Sequence, residues 1–335
     1  MMNDQEYLEF LNRWHRERPV YQAWGEWVSA KMLSLLEAQC GWDCRTMLRV
    51  PVASRVKEES SLLEKAFQRQ KKYDRPYEEI TDKVGVRFVV LKTDEVAQIC
   101  TVIKGEAAWD HSQDRDFEEE RARKPELFGY QSNHFIVRPR EIFEYSGTII
   151  PVDTTCEIQV RSLLQHAWAE MSHDTIYKPN VLEASPEAKR YCSQASALVE
   201  VVDEIFCRVA MSVAMASKPL EEASMTLSSL YSDIIKSAPA DGQLNIFLLD
   251  AYFSEFDDGA LSAIAEFFRS RPEIVERIKS RARDNILFRQ PAILLVYFLA
   301  RERGERSTRR LWPLTLDALH PIYSDLGLPP DNSLL

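Results

Sequence analysis

The spacing of the hydrophobic residues changes along this sequence, and the change restricts the folds open to the chain. Residues 4–40 and the segment from Glu58 to Tyr73 carry apolar residues at helical spacing. Residues 84–91 (VGVRFVVL) are instead β-branched and aromatic, which predicts a buried strand. Further elements are predicted at 94–104 and 162–177 (helices) and at 134–138, 148–152 and 156–160 (strands). The pattern predicts an α+β fold, a mixed sheet flanked by helices.

Strand signals disappear after about residue 178, and residues 186–320 read almost entirely as amphipathic helix. We therefore predict two domains, residues 1–195 with the sheet and residues 196–335 as an all-α C-terminal region. The clearest linker within the helical part is 237–243 (SAPADGQ). The charged stretch at 110–128 is predicted to be a loop.

Composition excludes several classes of protein. The net charge of −10 argues against broad, sequence-independent nucleic-acid binding, which requires a basic surface. The six cysteines form no CxxC pair and no metal-type spacing with histidine, as expected for free thiols in a reducing compartment. The N-terminus lacks an apolar signal core, and the longest apolar run, 291–300, is too short to span a bilayer. The expected location is the cytoplasm, without membrane association.

Two polar segments suit anion and cation binding. Arg55, Lys57, Ser61 and Lys65 surround a predicted helix start, where backbone N–H groups favour anions such as a polyphosphate. Asp82 precedes the buried strand, a common position for a ligand of a divalent cation. Arg87 lies inside that strand and requires an anionic partner. The alternative interpretations are a solvated helix face with ordinary ion pairs and a structural Asp82–Arg87 pair.

Two further segments concentrate polar residues. In GYQSNH (129–134), Gly129 permits a tight turn and Tyr130 suits stacking on a base, although a β-turn with its tyrosine in the core is the alternative. Glu157, Gln159 and Arg161 alternate with apolar residues and therefore share one face of a strand. In the helix that follows, His166, Glu170 and His173 share a face, and a zinc site there is a further alternative.

These segments, taken together, resemble a known family. EIQVRSLLQHAWAEMSHDTIYK is similar to the glutamate-bearing strand and following helix of RelA/SpoT-type (p)ppGpp synthetases. RVKEESSLLEK resembles the nucleotide-binding element of the small, single-synthetase-domain members. Asp82 with Arg87 resembles the D-x-x-x-x-R strand of these members, and GYQSNH resembles their GYQS-x-H element. Four motifs occur in the family's order within residues 55–178, and helices follow them as a C-terminal extension.

The resemblance implies a nucleotidyltransferase-like fold and transfer of the β,γ-pyrophosphate of ATP to a ribose 3′-hydroxyl of GDP or GTP, which makes (p)ppGpp. By the same resemblance, Asp82 and Glu157 would be catalytic and would hold Mg²⁺, and Glu157 would also draw the proton from the attacking hydroxyl. The residues implied to bind ATP are Arg55, Lys57, Ser61, Lys65 and Arg87. The residues implied to bind the acceptor are Tyr130, His134 and Gln159.

The stretch before GYQS departs from the family, in which it is usually basic. Here it reads DRDFEEERARKPELF, with Glu118, Glu119 and Glu120 in a row. The departure leaves two alternatives for the acceptor: the 3′ end of tRNA, as in toxin-type relatives, or an adenosine nucleotide. A non-catalytic nucleotide sensor is a third alternative. The C-terminal helices are expected to act in regulation, in homo-oligomerisation or in binding an antitoxin or other partner.

Overall fold

The computed structural model describes residues 4–68, 73–129, 132–173, 175, 184–240, 242–256 and 259–328, and it forms two compact units, residues 1–210 and 211–335. The strands of the first unit are β1 Ser54–Val56, β2 Val84–Val90, β3 Trp109–Arg115, β4 Asn133–Pro139, β5 Phe143–Tyr145, β6 Thr148–Ile150 and β7 Cys156–Ser162. Its helices are α1 Asp4–Cys40, α2 Cys44–Met47, α3 Glu59–Leu63, α4 Pro76–Glu79, α5 Thr93–Gly105, α6 Phe117–Arg123 and α7 Leu163–Ser172, and α8 Pro186–Ile235 runs from it into the second unit.

Five strands form a mixed sheet in the order β1-β2-β7-β4-β3. The central pair, β2 and β7, is parallel, and every other pairing in the sheet is antiparallel. β5 and β6 form a separate hairpin whose turn residues, Ser146 and Gly147, both have positive φ, as a two-residue hairpin turn requires. The predicted α+β class, with a mixed sheet and helices followed by an all-helical region, is confirmed.

Helix α1 covers one face of the sheet. Its apolar residues Trp14, Trp24 and Met32 are buried against Val84 and Phe88 of β2. Gly25 marks the closest approach, because a Cβ there would lie 2.6 Å from Val84 Cγ2 and 2.8 Å from Ser54 Cβ. Side chains alternate along a strand, so the polar residues of β2 and β7 occupy the opposite face. Burial of the apolar face thus fixes which face of the sheet is left for polar chemistry.

Two local predictions were wrong. The stretch 110–128 contains the edge strand β3 and helix α6 and is not a loop. β3 is exposed along most of its length, so it lacks the apolar signal by which buried strands are recognised, and Asp116 caps α6 by accepting from the Glu119 N–H. The helix predicted from Glu58 to Tyr73 begins as the short α3 and continues as a π-helical turn, Glu64–Gln68.

The junction of β7 and α7 is held by a capping box and a buried carboxyl. The Ser162 side chain accepts from the Gln165 N–H, and the Gln165 side chain accepts from the Ser162 N–H, so α7 begins immediately after the strand. The Ser162 hydroxyl also donates to Asp203 Oδ2 of α8 at 2.6 Å. Among the described residues Asp203 Oδ1 has no partner, and burial raises the pKa of Asp203 to about 6, despite the opposing hydrogen bond from Ser162.

We expect Asp203 to make the protein less stable as the pH rises. Its pKa is higher in the folded protein than the ordinary 3.8, so the folded state holds the proton more tightly. The free energy of unfolding should therefore fall between about pH 4 and pH 6 and then level off. Asp203→Asn, which stays neutral, should be more stable than wild type at pH 8 by up to about 3 kcal/mol. Urea unfolding at pH 4, 6 and 8 measures this, and a constant difference across that range would contradict it.

The second unit is helical throughout the part that the structure describes. Its α-helices are α9 Gln243–Ala251, α10 Ala260–Arg269, α11 Pro272–Arg281, α12 Ala292–Glu302, α13 Glu305–Leu311 and α14 His320–Asp325, with 3-10 turns at Phe253–Glu255, Ile286–Arg289 and Leu316–Ala318. α12 is nearly all apolar and forms the centre of the core. No helix among the described residues is long and apolar enough to cross a membrane. The functional division at residue 195 stays a prediction.

Candidate functional site

Glu157 lies on the open face of the sheet, where two neighbouring side chains bind its carboxylate. His134 Nδ1 lies 2.9 Å from Glu157 Oε1, and Gln159 Nε2 donates to Glu157 Oε2 at 2.7 Å. The strand register explains the meeting, since His134 of β4 is paired with Gln159 of β7. On the other side Glu157 is paired with Gly85 of β2, which has no side chain and leaves that part of the face open. We call Glu157, His134 and Gln159 the Glu157 cluster.

The Glu157 carboxylate is ionised at neutral pH although it is largely buried. Burial by itself raises the pKa of Glu157, but the hydrogen bond and the charge of His134 outweigh that effect, and Gln159 adds a smaller lowering. The net pKa lies below the ordinary value. An ionised carboxylate is the form that coordinates a cation or accepts a proton.

A second carboxylate, Asp82, lies in the loop before β2 and is paired with two lysines. Lys57 Nζ and Lys65 Nζ donate to its Oδ2 at 2.6 and 2.7 Å. Burial raises the pKa of Asp82, but the two ammonium charges more than compensate and lower it to about 2. Asp82 is close enough for its charge to raise the pKa of Glu157. Two cations and two carboxylates therefore meet beside the open sheet face.

The residues present fit a divalent cation. Among the described residues, the buried Oδ1 of Asp82 has no hydrogen-bond partner, which leaves one carboxylate oxygen available. In the same described part of the chain, no three His, Cys, Asp or Glu side chains come together as a metal-binding group. Mg²⁺ is usually held by only one or two carboxylates together with substrate phosphates and water, so Asp82 with Glu157 suffices.

Arg87 of β2 finds its anionic partner on α7. Its Nη1 donates to Glu170 Oε1 at 2.7 Å, and His166 Nδ1 lies 3.6 Å from the same oxygen. The alternative Asp82–Arg87 pair does not form. Glu170 is engaged by a guanidinium, which argues against the zinc alternative, and no three-ligand group occurs among the described residues. The apolar context of Arg87 correctly indicated an anion, but only the packing of α7 on β2 identified Glu170.

Three predicted site residues, Arg55, Ser61 and Tyr130, remain. Arg55 and Ser61 lie between the start of β1 and the π-helical turn. Arg55 is exposed on the edge strand β1 and does not lie at a helix start, because the helix begins only at Glu59. Ser61 is exposed in α3. Tyr130 lies outside the described residues. Arg161 was not among the predicted site residues, but it donates to Gln159 Oε1 at 2.5 Å. Its place on the same strand face as Glu157 and Gln159 was the sequence signal that could have added it to the predicted site.

The acidic stretch before the GYQS motif pairs with its own cations. Arg115 binds Glu120 at 2.8 Å, Arg121 binds Glu118 at 2.6 Å, and Arg123 binds Glu119. Helix α6 borders a cavity of about 500 Å³ that also reaches Lys124 and Gly129. Arg115, which lines this cavity, is paired across β3 and β4 with His134 of the Glu157 cluster.

Residues 54–181 match the family model described as the region found in RelA / SpoT proteins. Small alarmone synthetase 1 from Bacillus subtilis is 21% identical, with a TM-score of 0.48 over 61% of this chain and 99% of that one. A structure of the same enzyme bound to its product pppGpp is 23% identical, with a TM-score of 0.49 over 61% of this chain and 99% of that one.

A GTP pyrophosphokinase family protein from Streptococcus pneumoniae is 21% identical, with a TM-score of 0.47 over 64% of this chain and 97% of that one. No curated protein matches the chain. The family model ends at residue 181, before α8 begins. Residues 54–181 of this chain thus match the region found in RelA / SpoT proteins, and a helical region lies beyond the match.

Proposed function

We propose that the chain is an ATP-dependent pyrophosphokinase that transfers the β,γ-pyrophosphate of ATP to the 3′-hydroxyl of GDP or GTP, making (p)ppGpp and releasing AMP as the leaving group. One observation carries the proposal: an ionised Glu157 on an open sheet face lies beside Asp82 and the two lysines that bind it. Pyrophosphoryl transfer requires an acceptor for the hydroxyl proton and cations for the phosphate charge. Both are present on this face.

Lys57 and Lys65 are proposed to bind the phosphates of the ATP donor. They now neutralise Asp82, and a polyphosphate would offer them a larger negative charge at the same place. Arg55 and Ser61, exposed on the same segment, would add contacts. Arg87 would exchange its exposed partner Glu170 for a phosphate oxygen, and that exchange costs little because exposed ion pairs are weak.

Glu157 is proposed to accept the proton of the attacking hydroxyl. His134 and Gln159 hold its two oxygens in place and would lie near the acceptor ribose, while Tyr130 would stack on the acceptor base. Asp82 and Glu157 would hold Mg²⁺, which supplies positive charge to the leaving and transferred phosphates. The protein residues thus position the hydroxyl, remove its proton and stabilise the phosphate charge.

Label transfer from ATP tests this proposal. The purified chain is incubated with ATP labelled in the β or γ phosphate and, separately, with GDP, GTP, ATP or deacylated tRNA, and the product is separated by chromatography or gel. Labelled (p)ppGpp formed with wild type supports the proposal. Nucleotide binding without product on any acceptor would refute it and favour a nucleotide sensor.

Helix α6 favours a second candidate, transfer to an acceptor without a 5′ di- or triphosphate, such as the 3′-terminal nucleotide of tRNA in the manner of a toxin. Glu118, Glu119 and Glu120 occupy the arginines that border the cavity next to the Glu157 cluster. Their negative charge opposes the 5′ di- or triphosphate of a guanine nucleotide. The terminal adenosine of tRNA carries a single phosphodiester charge at its 5′ position, so the repulsion from these glutamates is smaller.

Neutralising α6 is expected to favour guanine nucleotides. Changing Glu118, Glu119 and Glu120 together to glutamine frees the arginines and removes three negative charges, so kcat/KM for GTP should rise about tenfold. Steady-state kinetics with GTP measures the change, and Glu144→Gln, exposed on the separate β5 hairpin, is the control that should leave kcat/KM unchanged. An unchanged or lower kcat/KM for GTP in the triple variant would show that α6 does not set acceptor choice.

A further inference from the structure

Arg161 is buried, although it lies on the polar face of β7. It is 2% exposed, whereas the side chains of Glu157 and His134 on the same face of the sheet are 16% and 15% exposed. Arg161 is therefore out of reach of a bound nucleotide, and a role in the reaction has to pass through a neighbouring side chain. That neighbour is Gln159, whose Oε1 accepts from Arg161 Nη2 at 2.5 Å.

The hydrogen bond from Arg161 determines which way the Gln159 amide faces. A guanidinium has N–H donors and no acceptor, so the end of the amide that faces it is the carbonyl Oε1. The Nε2 at the other end of the planar group then points toward Glu157 and donates to its Oε2 at 2.7 Å. With the amide turned over, Oε1 would face the carboxylate, and two acceptors would repel each other. Arg161 thus excludes the orientation that would repel Glu157.

The backbone of Gln159 is already fixed, so only its side chain has to be oriented. Gln159 is paired with Arg87 of β2 on one side and with His134 of β4 on the other. A glutamine side chain still rotates about several bonds, and holding it in one conformation costs entropy. One hydrogen bond received from Arg161 and one donated to Glu157 hold the two ends of the amide.

A role in packing alone would not require a charge at position 161. Burying a guanidinium costs more than burying an apolar side chain of similar length, and apolar replacements of buried charges are often neutral or stabilising. Arg161→Met would therefore fill the same space, but it could not orient an amide. The presence of a buried donor next to Gln159 favours a directional role over a packing role.

We infer that Arg161 is a positioning residue that orients the Gln159 amide and, through it, the Glu157 carboxylate. The inference rests on the proposed function, in which Glu157 accepts the proton of the attacking hydroxyl. Groups that orient a metal-binding side chain typically change activity or metal affinity about ten- to hundredfold when they are replaced. Arg161 therefore contributes to the rate of transfer without contacting ATP or the acceptor.

Steady-state label transfer with the full chain tests this role on the acceptor that wild type uses. Arg161→Met should lower kcat about ten- to hundredfold. It should leave KM for ATP unchanged, because Lys57 and Lys65, proposed to bind ATP, are hydrogen-bonded to Asp82. Arg161→Lys keeps a charged donor and should recover most of the loss. Arg140→Met makes the same change at an exposed position after β4 and should retain wild-type kcat. Equal kcat in Arg161→Lys and Arg161→Met, or a change in KM alone, would overturn the inference.

A double-mutant cycle separates positioning from a general loss of stability. Gln159→Met removes the donor to Glu157 Oε2 and should lower kcat by a similar factor. Because Arg161 acts through Gln159, adding Arg161→Met to Gln159→Met should cause no further loss. Losses that multiply would show that the two residues act independently, which contradicts the inference. Melting temperatures of the same variants show whether stability follows a different pattern from kcat.

Nuclear magnetic resonance of the glutamine side chains tests the orientation without any activity. In protein containing isotopically labelled glutamine, the Gln159 signal is the one that Gln159→Met removes. Its amide protons should exchange slowly with solvent in wild type, and Arg161→Met should shift the signal and speed the exchange. Exchange in wild type as fast as in free glutamine would overturn the inference, even where Arg161→Met does not fold. A wild-type chain that transfers label to no acceptor would refute the proposed function, and this signal would still show whether Arg161 orients Gln159.

Discussion

Replacing Glu157 with glutamine is expected to lower the kcat of pyrophosphate transfer between about a hundredfold and ten-thousandfold, the range that general-base catalysis contributes. The amide matches the shape of the carboxylate but cannot accept the hydroxyl proton. ATP affinity should be largely retained, because Lys57, Lys65 and the second proposed Mg²⁺ ligand, Asp82, are not altered. Single-turnover label transfer measures the loss, and ATP binding is measured separately by calorimetry.

The control for Glu157→Gln is Glu144→Gln, which makes the same chemical change on the exposed β5 hairpin. It should retain wild-type kcat on whichever acceptor the protein uses. A Glu157→Gln variant with wild-type kcat would show that Glu157 is not the base, and it would contradict the proposed function that depends on this residue. A variant that loses ATP binding as well would instead assign Glu157 to the donor site.

Replacing Asp325 with alanine is expected to destabilise the second unit by about 3 kcal/mol, as breaking one side of a buried charge pair does. Its side chain is nearly inaccessible and receives four hydrogen bonds. Arg281 of α11 binds both carboxylate oxygens at 2.8 Å, and Tyr297 of α12 donates at 2.7 Å. The alanine leaves the Tyr297 hydroxyl buried without its acceptor and removes the side-chain hydrogen bonds by which Asp325 links α14 to α11 and α12.

Hydrogen exchange of peptides from α11, α12 and α14 measures that loss, together with the urea midpoint. Asp317→Ala, whose side chain is almost fully exposed, is the control and should change neither. Burial raises the pKa of Asp325. The hydrogen bonds from Arg281 and Tyr297 and the charge of Arg281 together lower the pKa by more than burial raises it, so the net pKa is below the ordinary value. Its contribution is therefore complete above the ordinary pKa of 3.8 and is lost as the pH falls below it. Equal exchange in wild type and Asp325→Ala would contradict the role of this carboxylate.

Most of the sheet could be predicted because its central strands are buried. β2, β4 and β7 alternate or run apolar, and their predicted positions agree with the structure to within a few residues. β3 was missed because an exposed edge strand buries few side chains and so need not be apolar. α6 was missed for a related reason, since Phe117 is its only buried residue.

The sequence by itself determined the face on which Glu157, Gln159 and Arg161 lie, because residues at every second position of a strand share a side whatever surrounds them. It also predicted an anionic partner for the arginine in the apolar β2, and Arg87 does pair with Glu170, although the pair is exposed and burial is not what requires it. Which groups meet was decided only by the tertiary structure. Lys57 and Lys65 reach Asp82 across 25 and 17 residues of chain, and His134 reaches Glu157 across 23, through strand register and loop closure. Such contacts depend on the packing of separate segments, which no local pattern encodes.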